Sequence, residues 1–314
     1  MMTSIDRLLF RTRALRRQLV RLAVAGVAAC LPFMAQGEEP AVVVATYHYA
    51  RYDRAAALQP LARHLADTLG RPVTVHVSDS PRALARSMAE GSVDIAITNT
   101  FVHLATRALS TLKPVAVFDV PQHTLERYRG VLIGRKDGPV THASDLANAK
   151  PGIRYVQTIP GSTSGGLVQD LHLAAIGAAH PFGQPTYAGT HEAVLEQVRQ
   201  AQADLGALAE PPWQKWQAEN SAVATEIVEL WRSPPIPPGP VVCRTDAAID
   251  CTAVADTLLA LDKANPAALA ALTAAWSEAS GTTRLRPVDE SAYDALVARF
   301  RDAQRMKAVL EQLL

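Results

Sequence analysis

Cysteine is scarce. Three residues in 314, none in C-x-x-C spacing, supply neither a zinc-ribbon ligand set nor a disulfide-stapled scaffold. A dominant charge is missing too: 31 Lys and Arg face 30 Asp and Glu, a net of +1, so no general field draws in nucleic acid. Charge is modest in amount as well, and with 19% charged and 48% apolar residues the chain has enough apolar material to offset its ordering entropy, which excludes disorder over its length. Familiar enzyme signatures are lacking: there is no G-x-S-x-G elbow, no H-E-x-x-H, no Gly-Lys-Ser/Thr ending of a phosphate loop and no His/Cys pair at metal spacing. No catalytic residue, metal or cofactor is expected. Repeats of fixed period, low-complexity tracts and charge runs are also absent.

What is present begins with an address. Residues 1–37 carry Arg7, Arg11, Arg13, Arg16, Arg17 and Arg21 against one acid, Asp6, followed by the apolar run Leu22 to Met34 and then Ala35-Gln36-Gly37. A basic start, a short apolar stretch and a small-x-small site predict a secretory signal peptide cleaved after Gly37. The run is too short for a spanning helix, which needs about 20 residues. Val27-Ala28-Ala29-Cys30 offers the alternative of a lipid anchor at Cys30, and Arg16-Arg17 a twin-arginine signal. Six of the 31 basic residues and one of the 30 acids lie in this leader, which leaves 25 against 29 and a net charge of −4 for the exported protein. Export to the periplasm would permit Cys243 and Cys251 to bridge; two separate buried thiols are the alternative.

The body alternates strand and helix patterns. Ala41–Ala45, Pro72–Val77 and Val93–Ile97 read as strands, with helices at Leu58–Leu69 and Pro81–Met88 between them. The pattern restarts with strands at 129–135, 154–156 and 205–208 and helices at 163–176 and 191–202. The stiff segment Pro234 to Pro240 leads into a strand at 241–243, and helices at 253–261, 266–275 and 293–314 complete the chain. Such alternation implies parallel sheets covered by helices. One crossing near Arg129 and a return through 234–240 predict two lobes: lobe one from 38–130 and 235–314, lobe two from 131–234. Ligands in open α/β sheets lie beyond the carboxyl ends of the strands, here a cleft between lobes. A single large domain is the competing reading.

Three segments carry candidate chemistry. Gly161-Ser162-Thr163-Ser164-Gly165-Gly166 lies between a strand and a helix, where free backbone N–H groups and three hydroxyls converge. It is an anion cradle in composition, or plain helix capping by Ser162 or Thr163. In Tyr187-Ala188-Gly189-Thr190-His191-Glu192 the His stands at a helix start, as an oxyanion donor or as a solvated residue. Asp94 to Thr100 places polar residues at a strand end. Ser162 or Ser164 with His191 would make a nucleophile and base, but no third residue is marked out.

Six stretches in order, VDIAITNT (93–100), RGVLIGRKDG (129–138), GSTSGGLV (161–168), YAGTHEAVLEQV (187–198), ADLGALAE (203–210) and WRSPPIPPGPVVCR (231–244), resemble the PhnD-like periplasmic phosphate, phosphite and phosphonate-binding proteins of ABC transporters. The resemblance implies an α/β, two-lobed type II periplasmic-binding fold. It also implies that Ser162, Thr163, Ser164 and His191 hold an oxyanion and that Glu210 meets a ligand's amino end. The sequence departs from the family where Thr98 and Pro81 stand at tyrosine positions and Gly239 at an acid. Tyr47, in the loop after the first strand, is placed to replace a lost aromatic wall. The expected protein is a monomeric receptor in which Ser162–Ser164 and His191 of lobe two close with Thr98 and Tyr47 of lobe one over a small oxyanion. Uncharged donors and helix ends suffice in that reading, without Arg or Lys. The partner would be an ABC permease, or alternatively the periplasmic domain of a histidine kinase in an oxyanion-sensing system.

Overall fold

The structure is a computed structural model that describes residues 40–178 and 184–300. The predicted signal peptide, with Cys30 of the alternative lipid anchor, and the part of the last predicted helix beyond residue 300 lie outside the described residues.

Strand β1 (Val42–Tyr47) is an almost wholly buried β-branched run. Helix α1 (Arg54–Leu69) starts where the Asp53 side chain accepts the Ala56 N–H, and it ends at Gly70 in the left-handed region. Its buried face, Leu58, Leu61, Ala62 and Leu65, follows the helical period, each leucine contributing about 1.5–3 kcal/mol of burial. Strand β2 (Val73–Ser78), helix α2 (Pro81–Ala89, capped by Ser80) and strand β3 (Ile95–Ile97) follow as the spacing predicts. Helix α3 (Thr100–Thr106, capped by Asn99) and strand β4 (Leu112–Phe118) are elements that the pattern reading does not contain.

Lobe two opens with β5 (Gly130–Arg135) and β6 (Tyr155–Gln157). The helix expected over 163–176 divides: Thr163–Leu167 is a π-helical turn, and α4 (Val168–Ala175) begins after it. Strand β7 (Thr186–Tyr187), helix α5 (His191–Arg199, capped by Thr190) and strand β8 (Leu205–Ala209) come next. Helix α6 (Glu210–Glu219) carries two prolines in its first turn, where their missing N–H groups cost nothing. Strand β9 (Ile227–Arg232) closes this lobe. After the extended crossing come β10 (Val241–Arg244), α7 (Cys251–Leu259), α8 (Pro266–Ala275), β11 (Leu285–Arg286) and α9 (Ser291–Ala298). Cys243 and Cys251 are bridged, with Cα atoms 5.8 Å apart.

Two sheets result, ordered β11-β4-β10-β3-β1-β2 and β7-β6-β8-β5-β9. Both are mixed rather than parallel. β1 runs parallel to β2 and β3, whereas β10 is antiparallel to β3 and β4; β6 is parallel to β7 and β8, whereas β5 is antiparallel to β8 and β9. β11 is antiparallel to β4 as well, and β5 and β10 are the first strands after the two crossings. The sheet of lobe one draws strands from 42–118 and 241–286, and that of lobe two from 130–232. Apolar side chains fill both faces of each sheet. One cluster reaches from Leu84, Phe101 and Ile236 to Leu167, Val168 and Leu171, so the lobes share buried surface.

Candidate functional site

The carboxyl ends of β1, β3 and β6 converge on a small cavity of about 40 Å³, room for a few waters or one compact anion. Tyr47, the last residue of β1 rather than in the loop after it, and Tyr49 just beyond line it, with Asn99 and Thr100 after β3 and Ile159 and Ser162–Ser164 after β6; His191 enters from the start of α5, and Ile236 to Gly239 of the crossing form a wall. Arg54, Tyr128, Ser277 and Glu278 complete it.

The donors on the lobe-two side are set by backbone groups, from lobe two for Ser162 and His191 and from lobe one for Thr163. Ser162 Oγ accepts the Gly165 N–H at 3.1 Å, and Thr163 Oγ1 accepts the Phe101 N–H at 2.9 Å. Each hydroxyl thus spends a lone pair on the protein and keeps its proton to donate. Ser164 Oγ lies 3.2 Å from the Tyr128 hydroxyl. His191 Nδ1 accepts the Ala209 N–H at 3.2 Å and lies 2.9 Å from Thr158 Oγ1. An amide N–H only donates, so Nδ1 carries no proton and Nε2 does. Burial, with the Arg51 cation nearby, pushes this imidazole down to about 4, which keeps it a neutral donor. Neither Ser162 nor Ser164 hydrogen-bonds the ring that a nucleophile would need as its base.

Lobe one supplies charge. Arg54, the first residue of α1, is only 4% exposed. Its Nε donates to the Ala275 carbonyl at 3.1 Å and its Nη1 to the Tyr47 carbonyl at 3.4 Å. The guanidinium lies over the rings of Tyr47 (4.2 Å) and Trp276 (4.5 Å). Burial raises the Tyr47 phenol to about 12, with Arg54 opposing the shift, so the phenol stays protonated. A cation therefore does line the cavity, contrary to the expectation of uncharged donors alone.

The lobes touch around the cavity. Asn99 Nδ2 donates to the Gly161 carbonyl at 3.0 Å, the Arg82 N–H to the Pro160 carbonyl at 3.3 Å, and Arg51 pairs with Glu192. Gly161 has φ +82°, and a Cβ there would meet Phe101 and the Arg82 backbone at 2.7–2.8 Å, so this approach requires glycine.

Among the predicted residues, Ser162, Thr163, Ser164, His191 and Tyr47 come together here, whereas Thr98 and Glu210 do not line the cavity. The Thr98 hydroxyl donates to the Pro240 carbonyl at 2.6 Å and ties the crossing to β3; the strand end turns Asn99 and Thr100 inward instead. Glu210 is 2% exposed and paired with Arg232, with Gln214 Nε2 donating to it at 2.7 Å and the Arg129 guanidinium at ion-pair distance, 3.7 Å. Pro81 is the first residue of α2, outside the lining. Tyr49, Arg54, Tyr128 and Glu278 are lining residues that sequence reasoning missed, whereas Asn99 and Thr100 fall in the strand-end segment it singled out. The second aromatic of Tyr47-His48-Tyr49 was a usable signal for one of them; Glu278 had none. Among the described residues no three His, Cys, Asp or Glu side chains group as metal ligands, and no helix is long and apolar enough to cross a membrane.

Residues 44–293 match the family described as ABC transporter, phosphonate, periplasmic substrate-binding protein. Over 119 residues the chain is 30% identical to a phosphonates-binding periplasmic protein of Escherichia coli; this stretch covers 37% of the chain and 35% of the relative, about a third of its length. Among solved structures, PhnD1 of Prochlorococcus marinus in complex with methylphosphonate superposes with a TM-score of 0.59 at 14% identity, covering 83% of this chain and 96% of that one. XAC2383 of Xanthomonas citri, solved with chloride ion and with ATP, gives 0.64 at 19% identity, covering 87% and 98%. A binding protein component of an ABC phosphonate transporter of Pseudomonas aeruginosa gives 0.58 at 20%, covering 87% and 95%. At these identities the likeness is one of fold.

Proposed function

The chain belongs to the family of periplasmic substrate-binding proteins of ABC phosphonate transporters, with the two-lobed type II fold, and from that we propose that it is a receptor that closes over one small phosphorus oxyanion and hands it to a membrane permease. The observation that carries the reading is the wall at Ser162, Thr163 and His191, where each side chain accepts a backbone N–H and keeps a proton to donate: Ser162 and His191 accept from lobe two itself, Thr163 from Phe101 of lobe one across the closed cleft. Such a wall suits an acceptor-only guest. Ser162 and His191 are held before the lobes close, so little reorganisation is needed there when the anion arrives. Arg54 adds a fixed positive charge where the lobe-one helix begins.

The closed arrangement supports capture between lobes. Opening would part the Asn99–Gly161 and Phe101–Thr163 contacts, with the segments at 130–136 and 234–240 as the hinge, since these crossings join the lobes. A permease would read the closed surface. The family is one of binding proteins rather than of enzymes, and this places the protein in the periplasm.

Thermal unfolding against millimolar phosphate, phosphite, methylphosphonate, arsenite and sulfate tests this, after denaturation and refolding to strip carried-over ligand. A ligand at 100 times its Kd adds about 2.7 kcal/mol, a shift of a few degrees. A shift with a phosphorus oxyanion is expected, and no shift with any of them would refute the reading.

A further inference from the structure

Glu278 is out of keeping with an anion site. Its side chain belongs to a residue only 8% exposed, lining the same cavity as the Ser162–Ser164 turn and His191. The hydrogen bond it makes among the described residues is a long one, from Ser277 Oγ at 3.4 Å to Oε2. Arg54, the cation of this cavity, is engaged elsewhere: its Nε and Nη1 donate to the carbonyls of Ala275 and Tyr47, and its plane lies over two rings. A buried carboxylate with spare acceptor capacity, set against an anion, repels that anion unless the guest brings a hydrogen to it. The crossing offers no substitute, because a Cβ at Gly239 would overlap the Asn99 backbone and the Thr98 carbonyl.

We propose that Glu278 is the cleft's acceptor for an O–H of the bound oxyanion. The protein then takes the singly protonated monoanion of a phosphorus oxyacid and rejects fully deprotonated dianions such as sulfate. This rests on the receptor reading above and names the ligand form that this reading leaves open. The cavity is divided by chemistry: hydroxyl and imidazole donors on the lobe-two side for the bare oxygens, one carboxylate on the lobe-one side for the hydroxyl. Charge bookkeeping agrees. Arg54 and Glu278 cancel, so a monoanion leaves one net charge to be held by neutral donors, whereas a dianion would leave two beside a carboxylate. Specificity of this sort works by penalising the wrong guest.

The groups facing Glu278 permit a clean pH test. Burial raises Tyr47, Tyr49 and Tyr128 above their ordinary range and lowers His191 to about 4, while Arg54 supplies the fixed cation. Between pH 5.5 and 8.5 these phenols and this imidazole keep their protonation, and the titrating species is the ligand, whose second ionisation falls near neutrality.

The experiment is calorimetric titration of the purified protein with methylphosphonate across that range, with sulfate and 2-aminoethylphosphonate in parallel, for wild type and Glu278→Gln. Wild-type affinity is expected to follow the monoanion fraction and fall at least tenfold by pH 8.5, with no sulfate binding. Glu278→Gln, whose amide donates, should flatten that slope to under threefold and admit sulfate. A wild-type slope that is already flat overturns the proposal without any variant, which covers a variant that fails to fold. An unchanged slope in Glu278→Gln overturns it as well. Tight binding of 2-aminoethylphosphonate, flat with pH and lost in Glu278→Gln, would assign the donor to an ammonium and overturn the O–H assignment. Wild-type silence toward every phosphorus oxyanion would instead overturn the receptor reading itself.

Discussion

Replacing His191 by alanine perturbs the donor wall at one atom. In the native protein Nδ1 is held by the Ala209 N–H at 3.2 Å with Thr158 Oγ1 at 2.9 Å, so the ring presents Nε2–H to the cavity. A hydrogen bond from a neutral donor to a charged acceptor is worth about 1.5–3 kcal/mol, so Kd for methylphosphonate should rise roughly 10- to 150-fold at pH 7.5. The same change strips the partner from the N–H of Ala209, a residue 2% exposed, and should lower ligand-free stability by about 1–3 kcal/mol. Calorimetry reads the first effect and thermal unfolding of the ligand-free protein reads the second. A Kd within twofold of wild type, whatever happens to Tm, would show that the ring only props up Thr158 and Ala209 and would refute the donor assignment. The pH response has a definite sign. Because burial and Arg51 lower the folded imidazole from 6.5 to about 4, the unfolded chain binds more protons between those values. Stability carried by the neutral ring is therefore lost as pH falls from 6.5 towards 4, and the wild-type Tm should drop more steeply over that window than that of His191→Ala.

Two further substitutions test the frame. Gly239→Ala would drive a Cβ into the Asn99 backbone and the Thr98 carbonyl, neither of which can rotate aside; an urea midpoint corresponding to a loss of about 1–3 kcal/mol is expected, and an unchanged midpoint would contradict the packing. Asp170→Asn should stabilise at pH 8 and not at pH 4. Burial raises this carboxyl to about 6, so the cost of its charge is present above that pH and gone below the unfolded value; the amide oxygen can keep the bonds from Gln157 (2.7 Å) and Tyr155 (3.2 Å). The gain at pH 8 is of the order of 1–3 kcal/mol, read as a Tm difference between the two pH values.

Much of the fold was legible because its signals are local. The run Val42–Tyr47 could only be a buried strand, Leu58, Leu61 and Leu65 repeat at the helical period, and Ser80, Thr190 and Asp250 cap helices from their own side chains. The oxyanion side of the site was legible for the same reason: Ser162, Thr163 and Ser164 stand together in the chain, and His191 opens its own helix. The two-lobe division followed from one crossing and one return. Harder elements carried mixed signals, such as β4 with Lys113 and Pro114 in its first half, or α6 with two prolines in its first turn.

Direction and company were decided only in three dimensions. Whether a strand runs parallel or antiparallel depends on which neighbour it meets: β10 arrives from the crossing and pairs with β3 and β4, far from it in sequence. Thr98 reads as a site residue and becomes a clamp on Pro240, because a strand end shows alternate residues to alternate sides. Glu210 reads as a ligand contact and becomes the partner of Arg232, an arginine on another element. Arg54 and Glu278 stand 224 residues apart and carry no motif, yet α1 and the turn after α8 bring both into one cavity. The local chain thus determined which backbone shapes and hydroxyl donors the protein owns. Tertiary packing decided the charges beside them, since two residues so far apart in the chain leave no periodicity in sequence and meet only once both parts of lobe one have folded around the same space.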